Sequence, residues 1–158
     1  MKKTALVTLA LVMIFCAVSC AGSAYRDDVS TTDIAVDIGR KISNGDTMVP
    51  ADEFYLSSFN PDYTSLITEY RIEYTTSGTL FDEFGIFKVE NTDDTDGIVK
   101  MIEEYKTMRV DNDMGYLPAE LPKIKNAKTK VCGKYVMYAF LSDADSSIAF
   151  DEFEKALS

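Results

Sequence analysis

The stretch from Tyr135 to Leu141 constrains the fold most, because seven consecutive residues carry no charge. A strand of this kind is covered by other elements and is typical of the centre of a sheet. The preceding strand is predicted over residues 128–132, and only Gly133 and Lys134 separate the two. A two-residue loop with glycine first is typical of a type II′ turn, so the sequence predicts a β-hairpin here.

A second hairpin is predicted earlier in the chain. Residues 69–74 alternate between apolar and charged side chains, which is the pattern of a half-buried strand. Residues 75–78 supply turn-forming side chains, and residues 81–90 are apolar on both faces, as in an interior strand. In the first strand the apolar face is expected to consist of Tyr70, Ile72 and Tyr74.

Three segments show the spacing of amphipathic helices: residues 31–42, 96–109 and 143–157. Residues 47–66 are ambiguous, with a short helix predicted over 52–58 whose Phe54, Tyr55 and Leu56 turn inward. The order of elements predicts an α+β fold, namely a two-layer sandwich. We expect an antiparallel sheet of about four strands, formed by two hairpins and covered by helices on one face.

The N-terminus has the features of an export signal. Lys2 and Lys3 precede an apolar run over residues 5–15, and small residues lead to Cys20. The segment Ala17–Cys20 resembles the cleavage box of bacterial lipoproteins, although leucine is usual where Ala17 stands. We therefore predict a signal peptide over 1–19, lipid attachment at Cys20, a flexible tether over 20–30 and one domain over 31–158. An ordinary signal peptidase cutting after Ser19 or Ala24 is the alternative, and it would release a soluble secreted protein.

Composition narrows the classes of function. The formal net charge is −10, and removing Lys2 and Lys3 with the signal makes it more negative. Such a chain is a poor partner for nucleic acid or for anionic lipid headgroups. Histidine, the commonest general base, is absent, and Cys132 would be the only thiol left in the domain. We expect no intramolecular disulfide, no cofactor and no enzymatic activity.

Several short motifs occur in an order that resembles one known family. They are Asp82–Lys88 on the second strand, Arg109 on the long helix, Tyr116–Pro118 after it and Gly133–Val136 at the second hairpin. Together they resemble the uncharacterised bacterial lipoproteins that contain domain of unknown function 4358 (DUF4358). A glutamine that often follows the helix arginine in that family is replaced here by Val110. The resemblance implies a lipoprotein domain and carries no activity with it.

Glu83 is the candidate for acid–base chemistry. It stands beside Asp82 among apolar strand residues, and a carboxylate that faces a pocket can act as a proton donor or acceptor. The alternative is a structural carboxylate paired with a lysine or arginine, and we adopt this interpretation. No catalytic residue is therefore assigned.

Two acidic stretches approach the pattern of a calcium loop. Asp143, Asp145, Ser147 and Glu154 have the required spacing, but Ile148 stands where the loop needs glycine. Another register runs through Asp94 and Asp96. Helix capping explains both sets of acids more simply, so we expect no metal site.

Lysines are concentrated between Leu121 and Leu141, where no acid occurs. Lys128, Lys130 and Lys134 could protect an edge strand against pairing with other sheets. Alternatively, they form a docking patch for an anionic partner, such as a wall polymer or an acidic protein.

These observations lead to an expected function. The chain is predicted to be a lipoprotein on the outer face of the cytoplasmic membrane, with a non-catalytic binding or accessory domain in the cell envelope. Its partners would be the membrane, through the lipid, and an envelope polymer or protein. The alternatives are an envelope hydrolase that uses carboxylates and a module that binds or inhibits another protein.

Overall fold

Strands form where the apolar pattern predicts them, and one further strand forms where it does not. The computed structural model describes residues 25–158. Its strands are β1 (Met48–Pro50), β2 (Ile67–Thr75), β3 (Glu83–Val89), β4 (Thr129–Cys132) and β5 (Tyr135–Phe140). Its helices are α1 (Thr31–Gly39), α2 (Pro61–Thr64), α3 (Thr95–Asp113), α4 (Leu121–Lys125) and α5 (Asp143–Leu157), with short 3₁₀ helices at Gly45–Thr47, Glu53–Ser58 and Thr92–Asp94.

The five strands form one open antiparallel sheet in the order β1-β2-β3-β5-β4. Both predicted hairpins are present, and β5 lies inside the sheet between β3 and β4. Gly133 has a φ of +57°, and it is the only residue with a positive φ between residues 25 and 158. A type I′ turn would need a positive φ at Lys134 too, so the turn is consistent with the predicted type II′.

The α+β class with an antiparallel sheet is confirmed, with two differences in detail. The sheet has five strands rather than about four, because Met48–Pro50 pairs with the end of β2. Helices also cover both faces rather than one. The side chains of β5 alternate between two buried clusters, one with α1 and α5 and one with α3 and α4. A strand that is apolar on both sides needs a cover on both sides, and the chain has enough helix to supply it.

One local prediction needs correction. Phe54 lies in a 3₁₀ helix and is 80% exposed rather than buried, because the inner side of that turn is taken by Tyr55 and Leu56. Serine side chains cap two of the long helices, namely Ser30 at α1 and Ser142 at α5. Their hydroxyl oxygens accept hydrogen bonds from backbone N–H groups that lack a partner inside the helix.

The export signal, with Cys20 and residues 20–24 of the tether, lies outside the described residues. Among residues 25–158, no helix has both the length and the apolar composition that crossing a membrane requires.

Candidate functional site

The carboxylate of Glu83 lies at the start of β3 and is enclosed by four donors. The hydroxyl of Tyr138 on β5 donates to Oε1 at 2.6 Å, and that of Tyr105 on α3 donates to the same oxygen at 2.9 Å. Tyr55, from the 3₁₀ helix Glu53–Ser58, donates to Oε2 at 2.6 Å. The Nη1 of Arg109, one turn after Tyr105 on α3, donates to Oε2 at 2.7 Å. Three separate elements thus converge on one acid.

A glycine opposite Tyr138 makes this convergence possible. Gly85 pairs with Tyr138 across β3 and β5. A Cβ at Gly85 would lie 2.3 Å from Cε1 of the Tyr138 ring, well inside van der Waals contact. The ring therefore lies over the bare backbone of Gly85, and its hydroxyl reaches the carboxylate two residues away.

Burial and charge keep the three tyrosines neutral and Arg109 charged. Burial and the neighbouring Glu83 carboxylate raise the pKa of Tyr105, Tyr138 and Tyr55, so the three hydroxyls stay protonated and donate. Burial by itself would lower the pKa of Arg109, but the attraction of Glu83 together with the hydrogen bonds to Asp113 and Tyr105 outweighs it, and the pKa is raised. The cluster is an arginine–carboxylate pair with three neutral tyrosines.

The enclosure of Glu83 favours a structural role for this carboxylate over a role in acid–base chemistry. Glu83 is only 2% exposed, and all four of its close donors come from its own chain. A general acid or base must exchange a proton with a bound substrate, which needs a carboxylate oxygen within reach of that substrate. In the structure Glu83 is thus a buried carboxylate paired with Arg109.

Asp82 is also buried and has separate partners. Lys123 of α4 donates to Oδ1 at 2.6 Å, and the side-chain amide of Asn44 donates to Oδ2 at 2.7 Å. Lys123 donates as well to Glu120, whose carboxylate accepts from the backbone N–H of Phe81. Burial would lower the pKa of Lys123, but the two carboxylates raise it. Asp82 and Glu83 therefore do not converge on one cleft.

The structure separates the three candidate lysines. Lys130 pairs with Glu154 of α5, and Lys134 pairs with Asp27 at 3.2 Å. Lys128 is exposed and makes no ion pair within residues 25–158. β4 is an edge strand, as the protective interpretation requires. Of the three, Lys128 is the cation that remains available to a partner.

Lys128 borders a cleft that sequence reasoning did not identify. The cleft has a volume of about 560 Å³ and lies between residues 122–128 and the first turns of α5. Its walls offer cationic, anionic, amide, hydroxyl and aromatic groups, including Lys128, Asn126, Asp143, Ser146, Ser147 and Phe150.

The two walls of the cleft are far apart in the sequence. They meet because β4 and β5 pair and bring the segments that flank the hairpin to the same end of the sheet. No local motif predicts such a site, and the patterns that include Lys128, Asp143 and Ser147 predict other roles for them.

The acids of the suspected calcium loops have structural roles. Asp145 lies in the first turn of α5 and accepts from the backbone N–H and the hydroxyl of Ser43 and from the hydroxyl of Ser142. These bonds lower its pKa although burial opposes the change. Asp94 is the N-cap residue of α3, but its side chain makes no capping hydrogen bond and accepts instead from the side-chain amide of Asn91. No group of three or more potential metal ligands occurs within the described part of the chain.

Comparison with known proteins identifies one family. The family model described as domain of unknown function (DUF4358) matches residues 47–141, from the residue before β1 to the residue that follows β5. No curated protein and no solved structure matches the chain. The chain therefore belongs to the DUF4358 family.

Proposed function

We propose that this DUF4358 protein is an extracytoplasmic lipoprotein whose domain binds an envelope component without transforming it. The support for location comes from the sequence of residues 1–20, with its positive start, apolar run and Cys20 in a lipobox-like segment. A single acyl chain holds a protein only weakly at a bilayer, so durable anchoring needs more than one chain on Cys20.

The cleft beside Lys128 carries the binding part of the proposal. A concave surface with a few convergent polar groups is the usual form of a ligand site. The ammonium group of Lys128 is free of any ion pair within residues 25–158, while Asn126, Ser146 and Ser147 offer hydrogen-bonding groups nearby. A hydroxyl-rich segment of an envelope polymer matches this chemistry if it carries an anionic group beside Lys128, since the carboxylate of Asp143 on the same cleft can accept hydrogen bonds from hydroxyls.

The buried carboxylates support a role without catalysis. Each of Asp82 and Glu83 is already neutralised by a cation of its own chain. A hydrolase that used them would first have to break these ion pairs, and removing the partner of a buried charge costs several kcal/mol.

Photo-crosslinking in intact cells tests the binding proposal. A photoreactive amino acid at Ser147, on the wall of the cleft, should form an adduct with an envelope polymer. The same group at Thr107, which is exposed on α3, is the matched control and should form none. Lys128→Glu should abolish the adduct at Ser147. Identical adducts at both positions, or no dependence on Lys128, would contradict the proposal.

The location has its own test. The intact mass of the protein recovered from the membrane fraction should correspond to a chain that begins at a lipid-modified Cys20. Cys20→Ser should shift the protein out of that fraction. A mature chain that begins elsewhere would disprove the lipid anchor. The binding role of the cleft would still be tested by the crosslinking experiment.

A further inference from the structure

The segment that precedes α1 is hydrogen-bonded to one end of the domain. The backbone N–H of Arg26 donates to the carbonyl of Leu157, near the C-terminus, at 2.8 Å. The hydroxyl of Tyr25 donates to Glu154, and that of Tyr135 donates to the carbonyl of Val29 at 2.6 Å. The second half of the proposed tether thus lies against the fold.

Two lysines of the suspected docking patch contribute to this attachment. Lys134 pairs with Asp27 of the segment. Lys130 pairs with Glu154, the same side chain that accepts from Tyr25. Gly133 lies close to Tyr25, since a Cβ at Gly133 would be 3.0 Å from the Cβ of Tyr25. The chain therefore enters the domain beside the β4–β5 turn, which we call the turn end.

The cleft lies at the other end of the sheet. Lys88, near the end of β3, pairs with Tyr135 just after the turn, whereas Glu83 pairs with Phe140. The cleft begins at Leu141 and Ser142, immediately beyond Phe140. Five residue steps along β5 separate Tyr135 from Phe140, so the two ends are about 17 Å apart along the strand.

A lipid at Cys20 would hold the turn end near the membrane. Only Ala21 to Ala24 lie between Cys20 and Tyr25. At about 3.3–3.6 Å per residue, even an extended chain keeps Tyr25 within roughly 18 Å of Cys20. The lipidated residue is therefore tied closely to one end of the domain and not to its middle.

Charge disfavours the domain lying on its helices. The sequence of α5 holds five acids against one lysine, and that of α3 holds five acids against three bases. One of those bases is Arg109, which is committed to Glu83. Helix surfaces of this kind are repelled by anionic lipid headgroups, whereas the turn end has its lysines matched with acids.

We infer that the turn end of the anchored domain faces the membrane. The cleft beside Lys128 then faces away from the bilayer, toward the polymer layer of the envelope. This inference rests on the proposed lipid anchor. It assigns the membrane-facing surface to the β4–β5 turn, the start of the described chain and the C-terminal end of α5.

Fluorescence energy transfer to the membrane tests the orientation. The lipidated protein is reconstituted in vesicles of phosphatidylethanolamine and phosphatidylglycerol that carry an acceptor dye on their headgroups. A donor is attached at Glu90→Cys, which follows β3 at the turn end, or at Ser147→Cys, on the cleft. Both positions are exposed, and the buried Cys132 should stay unlabelled in the parent protein.

Donor fluorescence should fall more strongly for Glu90→Cys than for Ser147→Cys. A long Gly-Ser insertion between Ala24 and Tyr25 should reduce the difference, while the same insertion in the turn at residues 76–79 should preserve it. Equal or reversed transfer in vesicle-bound protein would overturn the orientation and leave the anchor intact. Protein that fails to float with the vesicles would overturn the anchor, and the orientation with it.

Discussion

At the scale of single residues, Arg109 determines whether the Glu83 carboxylate is tolerated in the core. The guanidinium Nη1 lies 2.7 Å from Oε2, and the Arg109 and Glu83 side chains are 19% and 3% exposed. A buried ion pair adds little net stability compared with apolar packing, but losing one partner leaves an uncompensated charge. The tyrosine hydroxyls stabilise that charge only in part, because they are neutral donors.

Arg109→Met should therefore destabilise the fold by about 3 kcal/mol, measured by urea unfolding. Adding Glu83→Gln should restore part of the loss, because the amide oxygen still accepts from the tyrosines and carries no charge. Arg40→Met is the matched control, since Arg40 and its partner Asp37 are both exposed. A double variant whose loss equals or exceeds the sum of the two single losses would argue against the ion pair as the stabilising contact.

Glu69 links β2 to the start of α1 and predicts a specific pH dependence. Its carboxylate accepts from the backbone N–H of Thr31 at 2.7 Å and from the hydroxyls of Thr31 and Ser30. Although burial raises the pKa of Glu69, these hydrogen bonds lower it below its usual 4.5. Because the folded pKa is the lower one, the stabilisation is full above pH 4.5 and is lost as the pH falls through the folded value.

Glu69→Gln should consequently be less stable than the parent at neutral pH and should lose less stability on acidification. Thermal unfolding between neutral pH and pH 3 measures both. An exposed acid with no side-chain hydrogen bond to another element, such as Asp33 of α1, provides the control as Asp33→Asn. If the unfolding temperatures of the parent and Glu69→Gln fall equally as the pH is lowered, protonation of Glu69 is not coupled to unfolding.

At the scale of elements, the close approach of β3 and the Tyr138 ring depends on a missing side chain. Gly85→Ala would place a methyl group 2.3 Å from Cε1 of Tyr138, so the ring would have to move and its hydroxyl would leave Glu83. We expect a loss of about 1–3 kcal/mol, as for other overpacked core positions. Gly115→Ala is the control, because no atom lies within 4 Å of its new Cβ. Equal unfolding midpoints for the two variants would contradict the steric argument.

The elements differ in how far local sequence predicts them. β2 is predictable because its side chains alternate with the period of a strand, and β5 because it contains no charged residue. β1 has only three residues, one of them Pro50, so it carries no periodic signal. It forms through pairing of Met48 and Val49 with Thr75 and Tyr74, and such a partner cannot be read from the strand itself.

The same contrast applies to the candidate sites. Glu83 is unusual in the sequence because it stands, with Asp82, among apolar strand residues. Its four donors, however, come from segments between 22 and 55 residues away. Whether such an acid faces a pocket or a cluster of tyrosines is therefore decided by the packing of α3 and β5 on β3.

At the scale of the whole molecule, the segment that begins at Tyr25 meets the C-terminal end of α5 at the turn end. Because the backbone N–H of Arg26 donates to Leu157, the amide of Arg26 should exchange with deuterium more slowly than the amides of Thr76 and Gly78 in the β2–β3 turn. A chain that ends at Ala156 should lose this protection, while amides of β3 serve as the reference for global stability. Fast exchange at Arg26 in the intact chain would mean that the segment is free, and it would weaken the proposed orientation.

The sequence by itself determined the α+β class, the two hairpins, the three long helices and the family, because each depends on periodicity or on short motifs that neighbouring residues define. Tertiary structure alone decided that helices cover both faces of the sheet, that Glu83 is enclosed by its own chain and that Lys128 borders a cleft. The physical reason is that these features depend on contacts between residues far apart in the chain. Local patterns show which side chains must be buried, but only the packing of the whole chain selects the partners that bury them.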